Sequence, residues 1–211
     1  MTISAAVIKP RVKTTRKKFV DVPQQLVYET LAGVPVFYKG WENVIAKEQK
    51  FEEIMAYGIL QGLLLTMLKD YLQTIFGKQY WIIAGELGLH IAHKSNPSLD
   101  LCIFPKDVLS FSELTNKYTT IAPKIVIEVD SKADVAAFEA NGKGNYYLFK
   151  TQQLLDAGTE QVIWIYTEFK KIILAQPNQA WLTVNWTDEI EIMDHRFTLQ
   201  KMIDSFEHDH E

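Results

Sequence analysis

The chain changes hydrophobic period several times, and each change marks an element. Residues 25–30 and 34–38 are rich in β-branched and aromatic types, and Leu31-Ala32-Gly33 between them supplies a turn glycine, which predicts a hairpin. Over 47–76 the apolar positions Phe51, Ile54, Leu64, Leu68, Leu72 and Phe76 recur at helical spacing, with Gly77 as a stop and Gly58 and Gly62 weakening the middle. Strand-like runs follow at 79–84, 87–93 and 99–104, then a short helix at 106–114 and a strand at 124–130. Residues 131–144 are polar, end in Asn141-Gly142-Lys143-Gly144, and are expected to form a loop. Asn145 is placed to cap a helix running to 157, which Gly158 ends. A buried strand at 161–167, strands at 171–175 and 181–186, and a terminal helix at 198–206 complete the pattern. Strands at 99–104 and 124–130, then a helix, then a strand at 161–167 predict an α/β (α+β) fold: a mixed sheet with a β-α-β crossover, flanked by helices.

Composition supports a globular body preceded by a tail. The 211 residues suit one domain, and 47% hydrophobic against 23% charged is ordinary for a packed protein. Residues 1–22 read as a basic tail and 23–211 as a single domain. Residues 1–20 hold six basic residues and no acid, which leaves 16 basic and 26 acidic residues in the remainder. A basic arm suits nucleic-acid phosphates, or is simply a solvated leader; the acidic body argues against a broad DNA-binding face. A single cysteine, Cys102, excludes an intrachain disulfide and, with no apolar leader segment, points to the cytoplasm. The apolar run at 62–68 is too short to span a bilayer.

The acids inside apolar strands carry the chemistry. Glu128 interrupts the run Ile125-Val126-Ile127, and an ionised carboxylate out of water neutralises or finds a cation. Residues two apart on a strand share a face, roughly 6–7 Å apart, so Glu128 and Asp130 are expected to point the same way with the Val129 carbonyl between them. The other reading pairs Glu128 with a lysine or arginine from a neighbouring strand. Asp100 opens the apolar strand 99–104, 28 residues before Glu128, and adjacent antiparallel strands would bring the two together. Alone, Asp100 also suits a strand-start or turn aspartate after Asn96-Pro97-Ser98. Together the carboxylates of Asp100 and Glu128, the Val129 carbonyl and Asp130 make an oxygen site suited to Mg²⁺ or Mn²⁺. Such an ion would activate water and stabilise charge on a phosphodiester.

Four pieces of sequence then resemble a family. They are Tyr28-Glu29 through Gly33-Val34-Pro35 ahead of a strand; Asn96-Pro97-Ser98-Leu99-Asp100; Pro123-Lys124-Ile125-Val126-Ile127-Glu128-Val129-Asp130-Ser131; and Lys150 in a helix followed by Asp156-Ala157-Gly158 and Val162-Ile163-Trp164-Ile165. In this order they resemble the restriction-endonuclease-like proteins of the PD-(D/E)XK nuclease superfamily that occur in many copies in some bacterial genomes. The resemblance covers residues 24–175. It implies a metal-dependent endonuclease that hydrolyses DNA with metal-activated water. Asp100 would be the metal-binding aspartate, Glu128 the second carboxylate, Glu29 an additional acid near the site, and Lys150 the helix lysine. Two departures stand out: the usual lysine two residues after the glutamate is Asp130 here, and Leu99 stands where a proline usually precedes the aspartate. Lys150 shares a helical face with Tyr147 and Leu154, which turns it toward the sheet; the plainer reading is a snorkelling surface lysine. Lys132 and Lys143, in the 131–144 loop, are further candidates for the missing cation.

Other signals carry less. His90 and His93 face opposite sides of a strand, no cysteine pair or HExxH is present, and no glycine-rich phosphate loop occurs. Glu86 could extend the acidic site or serve as a turn residue. Trp164, Trp181 and Trp186 could stack on bases, although strand tryptophans more often fill a core or an oligomer contact. Strands 171–186 form an edge hairpin suited to a homodimer. Two alternatives to the nuclease remain open. One is a nuclease-fold module that binds nucleic acid or protein with weak or no catalysis, which Asp130 favours. The other is a small α/β protein with a structural Glu128–lysine pair.

Overall fold

The computed structural model describes residues 22–208; the basic arm of residues 1–20 lies outside the described residues. The N-terminal hairpin pairs β1 (Val27–Leu31) with β2 (Val34–Phe37), and Ala32 and Gly33 turn it with φ of 46° and 80°. Both turn residues take positive φ, which is why a glycine sits there. Two short helices, α1 (Trp41–Ile45) and α2 (Phe51–Met55), precede α3 (Ile59–Phe76). The single helix expected over 47–76 is therefore broken. Lys47 takes φ 61°, and Ala56 and Gly58 are extended at ψ 146° and 151°, so the backbone leaves and re-enters the helix.

A six-stranded sheet forms the centre. It contains β3 (Tyr80–Gly88), β4 (Ser98–Pro105), β5 (Ile125–Val129), β6 (Gln161–Tyr166), β7 (Lys171–Ala175) and β8 (Leu182–Asn185), in that spatial order. Only β5 and β6 run parallel, joined by α5 (Tyr146–Asp156), and every other neighbour is antiparallel. The runs expected at 79–84 and 87–93 are one strand ending at Gly88, with a bulge between Ala84 and Leu87 where Gly85 takes φ 130°. The 106–114 segment forms only a single 3₁₀ turn, Phe111–Glu113. The loop expected at 131–144 holds α4 (Val135–Phe138) and a further helical turn, capped by the Asp134 carboxylate on the Ala137 N–H. Asn145 caps α5 as expected, accepting from the Leu148 N–H.

The hairpin of β9 (Glu189–Ile192) and β10 (His195–Thr198) went unread in the sequence, although Glu-Ile-Glu-Ile alternates buried and exposed along β9, whereas the terminal helix expected at 198–206 is α6 (Leu199–His208). Alternation along the central strands sorts side chains between two cores. Leu101, Ile103, Ile127, Ile163 and Ile165 pack with Leu64, Leu68 and Leu72 of α3 and with Ile190 and Met202. Cys102, Phe104, Val126, Val162 and Trp164 pack on the other side with Tyr146 and Leu154 of α5 and with Leu31 and Val36 of the hairpin. All five residues of β5 are buried, which a strand covered on both faces requires. Among the described residues no helix is long and apolar enough to cross a membrane.

Candidate active site

The antiparallel register of β4 and β5 aligns Leu101 with Ile127 and Ile103 with Ile125. One step further along, the same register sets Asp100 opposite Glu128, on the face that carries Cys102 and Val126. Adjacent strands thus bring together the two acids that lay 28 residues apart. Asp100 also completes the ladder, because its Oδ2 accepts from the Val129 N–H at 3.0 Å.

Lys150 enters from α5 on the same side. Its side chain is fully buried, so it is not a snorkelling surface lysine. The ammonium donates to the Ser98 carbonyl at 2.7 Å and lies 3.1 Å from both Glu29 Oε2 and Glu128 Oε1. The rings of Tyr28, Tyr146 and Trp164 stand 5.6–5.9 Å away around it. Glu29, on β1 beside a bulge, has both oxygens engaged: Tyr146 Oη donates at 2.6 Å and the Ser98 N–H at 2.9 Å. Glu128 is less well satisfied. Its Oε1 is buried, lies within ion-pair range of Lys150, but makes no hydrogen bond of good geometry.

The cluster holds three carboxylates against one ammonium, out of water. Burial alone would lower the Lys150 ammonium, but Glu128 and Glu29 outweigh it and hold the group well above its ordinary range, hence charged. Burial pushes the Glu128 carboxyl well up; Lys150 opposes this, while Asp100 and Glu29 add to it. Burial also raises Asp100, against the Val129 N–H, Lys150, Lys132 and the Tyr57 hydroxyl. The site therefore carries an excess of negative charge that strains to hold a proton or another cation.

Asp130 stands apart from this cluster. Strand β5 ends at Val129, and Asp130 takes φ 54°, so it does not continue on the face of Glu128. Its two oxygens accept from the N–H and hydroxyl of Thr167 at 2.9 and 2.6 Å. That turn takes Asp130 off the face of Glu128, which strand alternation had been expected to give it. Lys143 is exposed, and Lys132 pairs with Glu86 and with the Met55 carbonyl. Trp164 and Trp186 are core residues, 1% and 5% exposed, and are closed to base stacking.

Three residues at the site had no signal in the sequence. Tyr57 Oη donates to Asp100 Oδ1 at 3.3 Å, and Gln61 Nε2 donates to the Val129 carbonyl at 2.6 Å. Both fall inside a stretch that reads as plain amphipathic helix, and only the break at Ala56 and Gly58 turns them inward. Tyr146 was likewise hidden, as one of two adjacent tyrosines after the Asn145 cap.

The donor chemistry fits a hard divalent cation. Asp100, Glu128 and the Val129 carbonyl are all oxygen donors, the local charge is negative, and one carboxylate oxygen lacks a hydrogen bond. Among the described residues no group of three or more His, Cys, Asp or Glu is placed to hold a metal ion, so any such ion would rely on the main-chain oxygen and on water for its remaining ligands. Two sizeable clefts, of about 520 and 680 Å³, lie at the far ends of β5 and β6, beside Lys124 and Glu160.

No family model matches the sequence, and no curated protein matches it. Among solved structures, the fold is similar to that of "a putative nuclease belonging to DUF820" from Anabaena variabilis ATCC 29413. The TM-score is 0.56 at 12% identity, over 71% of this chain and 82% of that one. At that identity the likeness establishes a nuclease-like fold.

Proposed function

We propose that this chain is a metal-dependent endonuclease acting on DNA phosphodiester bonds. The observation that carries the reading is the pairing of Asp100 with Glu128 across β4 and β5, with a buried, charged Lys150 3.1 Å from Glu128. The nuclease-like fold supports it. Asp100, Glu128 and the Val129 carbonyl would hold Mg²⁺ or Mn²⁺, which when bound supplies a water of lowered pKa and a counter-charge for the phosphoryl oxygens. Lys150, set in a helix rather than two residues beyond Glu128, provides the positive charge near the reacting phosphate. Glu29 orients Lys150 from the opposite side and is itself held by Tyr146 and Ser98. The basic arm of residues 1–20 would add sequence-independent grip on the DNA backbone. A homodimer through the edge strand β8 would suit cleavage of both strands.

The closed state of the site favours a second reading, a nuclease-fold module that binds nucleic acid or protein without efficient turnover: Asp100, Glu128 and Lys150 are each at most 2% exposed. One series separates the two. Mn²⁺ and Mg²⁺ are titrated into wild type and Asp100→Ala, with thermal melting and cleavage of plasmid and branched DNA as readouts. The nuclease reading expects metal to raise the wild-type melting temperature, Asp100→Ala to lose that response, and cleavage to be lost with it. A wild type that ignores both metals and leaves DNA intact sinks it and leaves the binding module.

A further inference from the structure

The groups that would coordinate the metal are already occupied by the protein itself. Tyr57 Oη bonds Asp100 Oδ1 and Gln61 Nε2 bonds the Val129 carbonyl. Both donors come from one short stretch, the junction where α2 ends and α3 begins.

Apart from the ring of Tyr57, which packs against the α3-side core, little apolar packing secures this junction. Met55, Ile59, Leu60 and Leu63 are 42–92% exposed, and the buried face of α3 begins only at Leu64. Gly58, at the turn into α3, has no atom within 4 Å of where a Cβ would sit. The other contacts that hold the junction are polar. Lys132, just beyond β5, donates to the Met55 carbonyl at 2.7 Å, pairs with Glu86 on the β3 bulge, and lies 3.4 Å from the centre of the Tyr57 ring. A segment held by a few exposed or half-buried polar contacts opens at far lower cost than the core beneath it.

We propose that the 56–61 junction is a self-made cover that competes with metal for Asp100 and Val129, with Tyr57 and Gln61 as the competing groups and Lys132 as the latch. The proposal rests on the metal-site reading given above and adds its regulation. In the closed state the cover satisfies oxygens that would otherwise be buried without partners. Metal binding requires it to lift, so the apparent affinity is the intrinsic affinity scaled by the open fraction. The same latch gives a phosphate backbone a way to favour opening, because Lys132 can exchange the Met55 carbonyl and Glu86 for a phosphate oxygen.

The test is calorimetric titration of Mn²⁺ into wild type, Tyr57→Phe, Gln61→Ala, the double variant and Asp100→Ala. Hydrogen exchange of residues 56–61 with and without metal accompanies it. Both substitutions keep good helix formers or ring volume at half-buried positions, and a melt without metal checks that each variant folds. A competing cover predicts about tenfold tighter Mn²⁺ binding by the double variant than by wild type, together with loss of amide protection over 56–61 when wild type is loaded. Equal or weaker binding by the double variant, while Asp100→Ala abolishes binding, overturns the cover and leaves the metal site standing; a drop with Gln61→Ala would make Gln61 a ligand. If no protein in the set binds Mn²⁺, the metal reading itself falls, and the cover falls with it.

Discussion

The two faces of the central sheet come from the same strands and differ in what alternate residues present. Toward α3, the strands offer Leu101, Ile103, Ile127, Ile163 and Ile165, an apolar surface with no buried charge. Toward α5, the intervening positions hold Cys102, Val126, Val162 and Trp164, but also Asp100 and Glu128, with Lys150 and Glu29 closing over them. The first face gains stability simply from area removed from water. The second must offset the cost of taking four charged groups out of water with good geometry and enough partners. A chain that needed only a core would repeat the first face on both sides. The polar insertion, confined to one end of two strands, is what marks a site.

The largest break in that comparison is Lys150→Ala. It leaves Glu29 and Glu128 buried without their cation, and the expected loss is about 3–5 kcal/mol by denaturant unfolding. Replacing Lys150 by Met together with Glu29→Gln and Glu128→Gln should recover most of it, because two of the three carboxylates are neutralised along with the ammonium, and Asp100 keeps the Val129 N–H and the Tyr57 hydroxyl as partners. If Lys150→Ala costs no more than a surface substitution, the cluster is not the buried ion network described above.

Next in size is a pH effect. A glutamate carboxyl ordinarily titrates near 4.5, and burial raises Glu128 in the folded chain. The folded state then holds this proton more tightly than the unfolded chain. Its contribution to stability is complete below about 4.5 and is lost as the pH rises through the raised folded value. In metal-free buffer, wild type should gain stability relative to Glu128→Gln as the pH falls from about 8 to about 5, by about 1.4 kcal/mol for every tenfold by which burial weakens the acid. Parallel stability curves for the two proteins would show that burial does not perturb Glu128.

On the apolar face the expected effect is smaller and insensitive to pH. Ile127→Val removes one methylene from a strand packed on both sides and should cost about 1 kcal/mol, the same at every pH, with metal response unchanged. A pH-dependent or metal-dependent loss at Ile127 would mean that the two faces are coupled through β5.

Much of this division was legible in the sequence. An acid in Ile125-Val126-Ile127-Glu128-Val129 stands out because nothing else in that run can be solvated, and Asp100 stands out for the same reason. The Asn145 cap and the helical phase of Lys150 likewise followed from local rules, and both hold. What could not be read was tertiary. The helix at 47–76 breaks beside Gly58, a weak point that the sequence did mark, but periodicity carries no trace of the partners that Tyr57 and Gln61 find on β4 and β5. The β9–β10 hairpin was hidden by its turn, where Met193 takes φ 56° in place of a glycine. The loop at 131–144 is polar on average, yet Asp134 caps a turn there and Phe138 buries fully.

Asp130 shows most clearly where strand logic stops, and it supplies the smallest prediction. Strand alternation would put it beside Glu128, as a ligand where the resemblance expects a lysine. The structure instead gives it a left-handed backbone, which aspartate and asparagine tolerate better than most residues, and ties it to Thr167 at the end of β6. Asp130→Asn keeps that backbone and can still bond Thr167 through both side-chain atoms. It should therefore cost about 1 kcal/mol or less and leave Mn²⁺ affinity within about twofold of wild type, since a charge outside the cluster is screened by salt and water. The same substitution at Asp100 should abolish binding. If Asp130→Asn instead weakens Mn²⁺ as severely as Asp100→Asn does, then β5 must extend by one residue when metal binds, bringing Asp130 round to the face of Glu128, and the Thr167 contacts belong to the metal-free state alone.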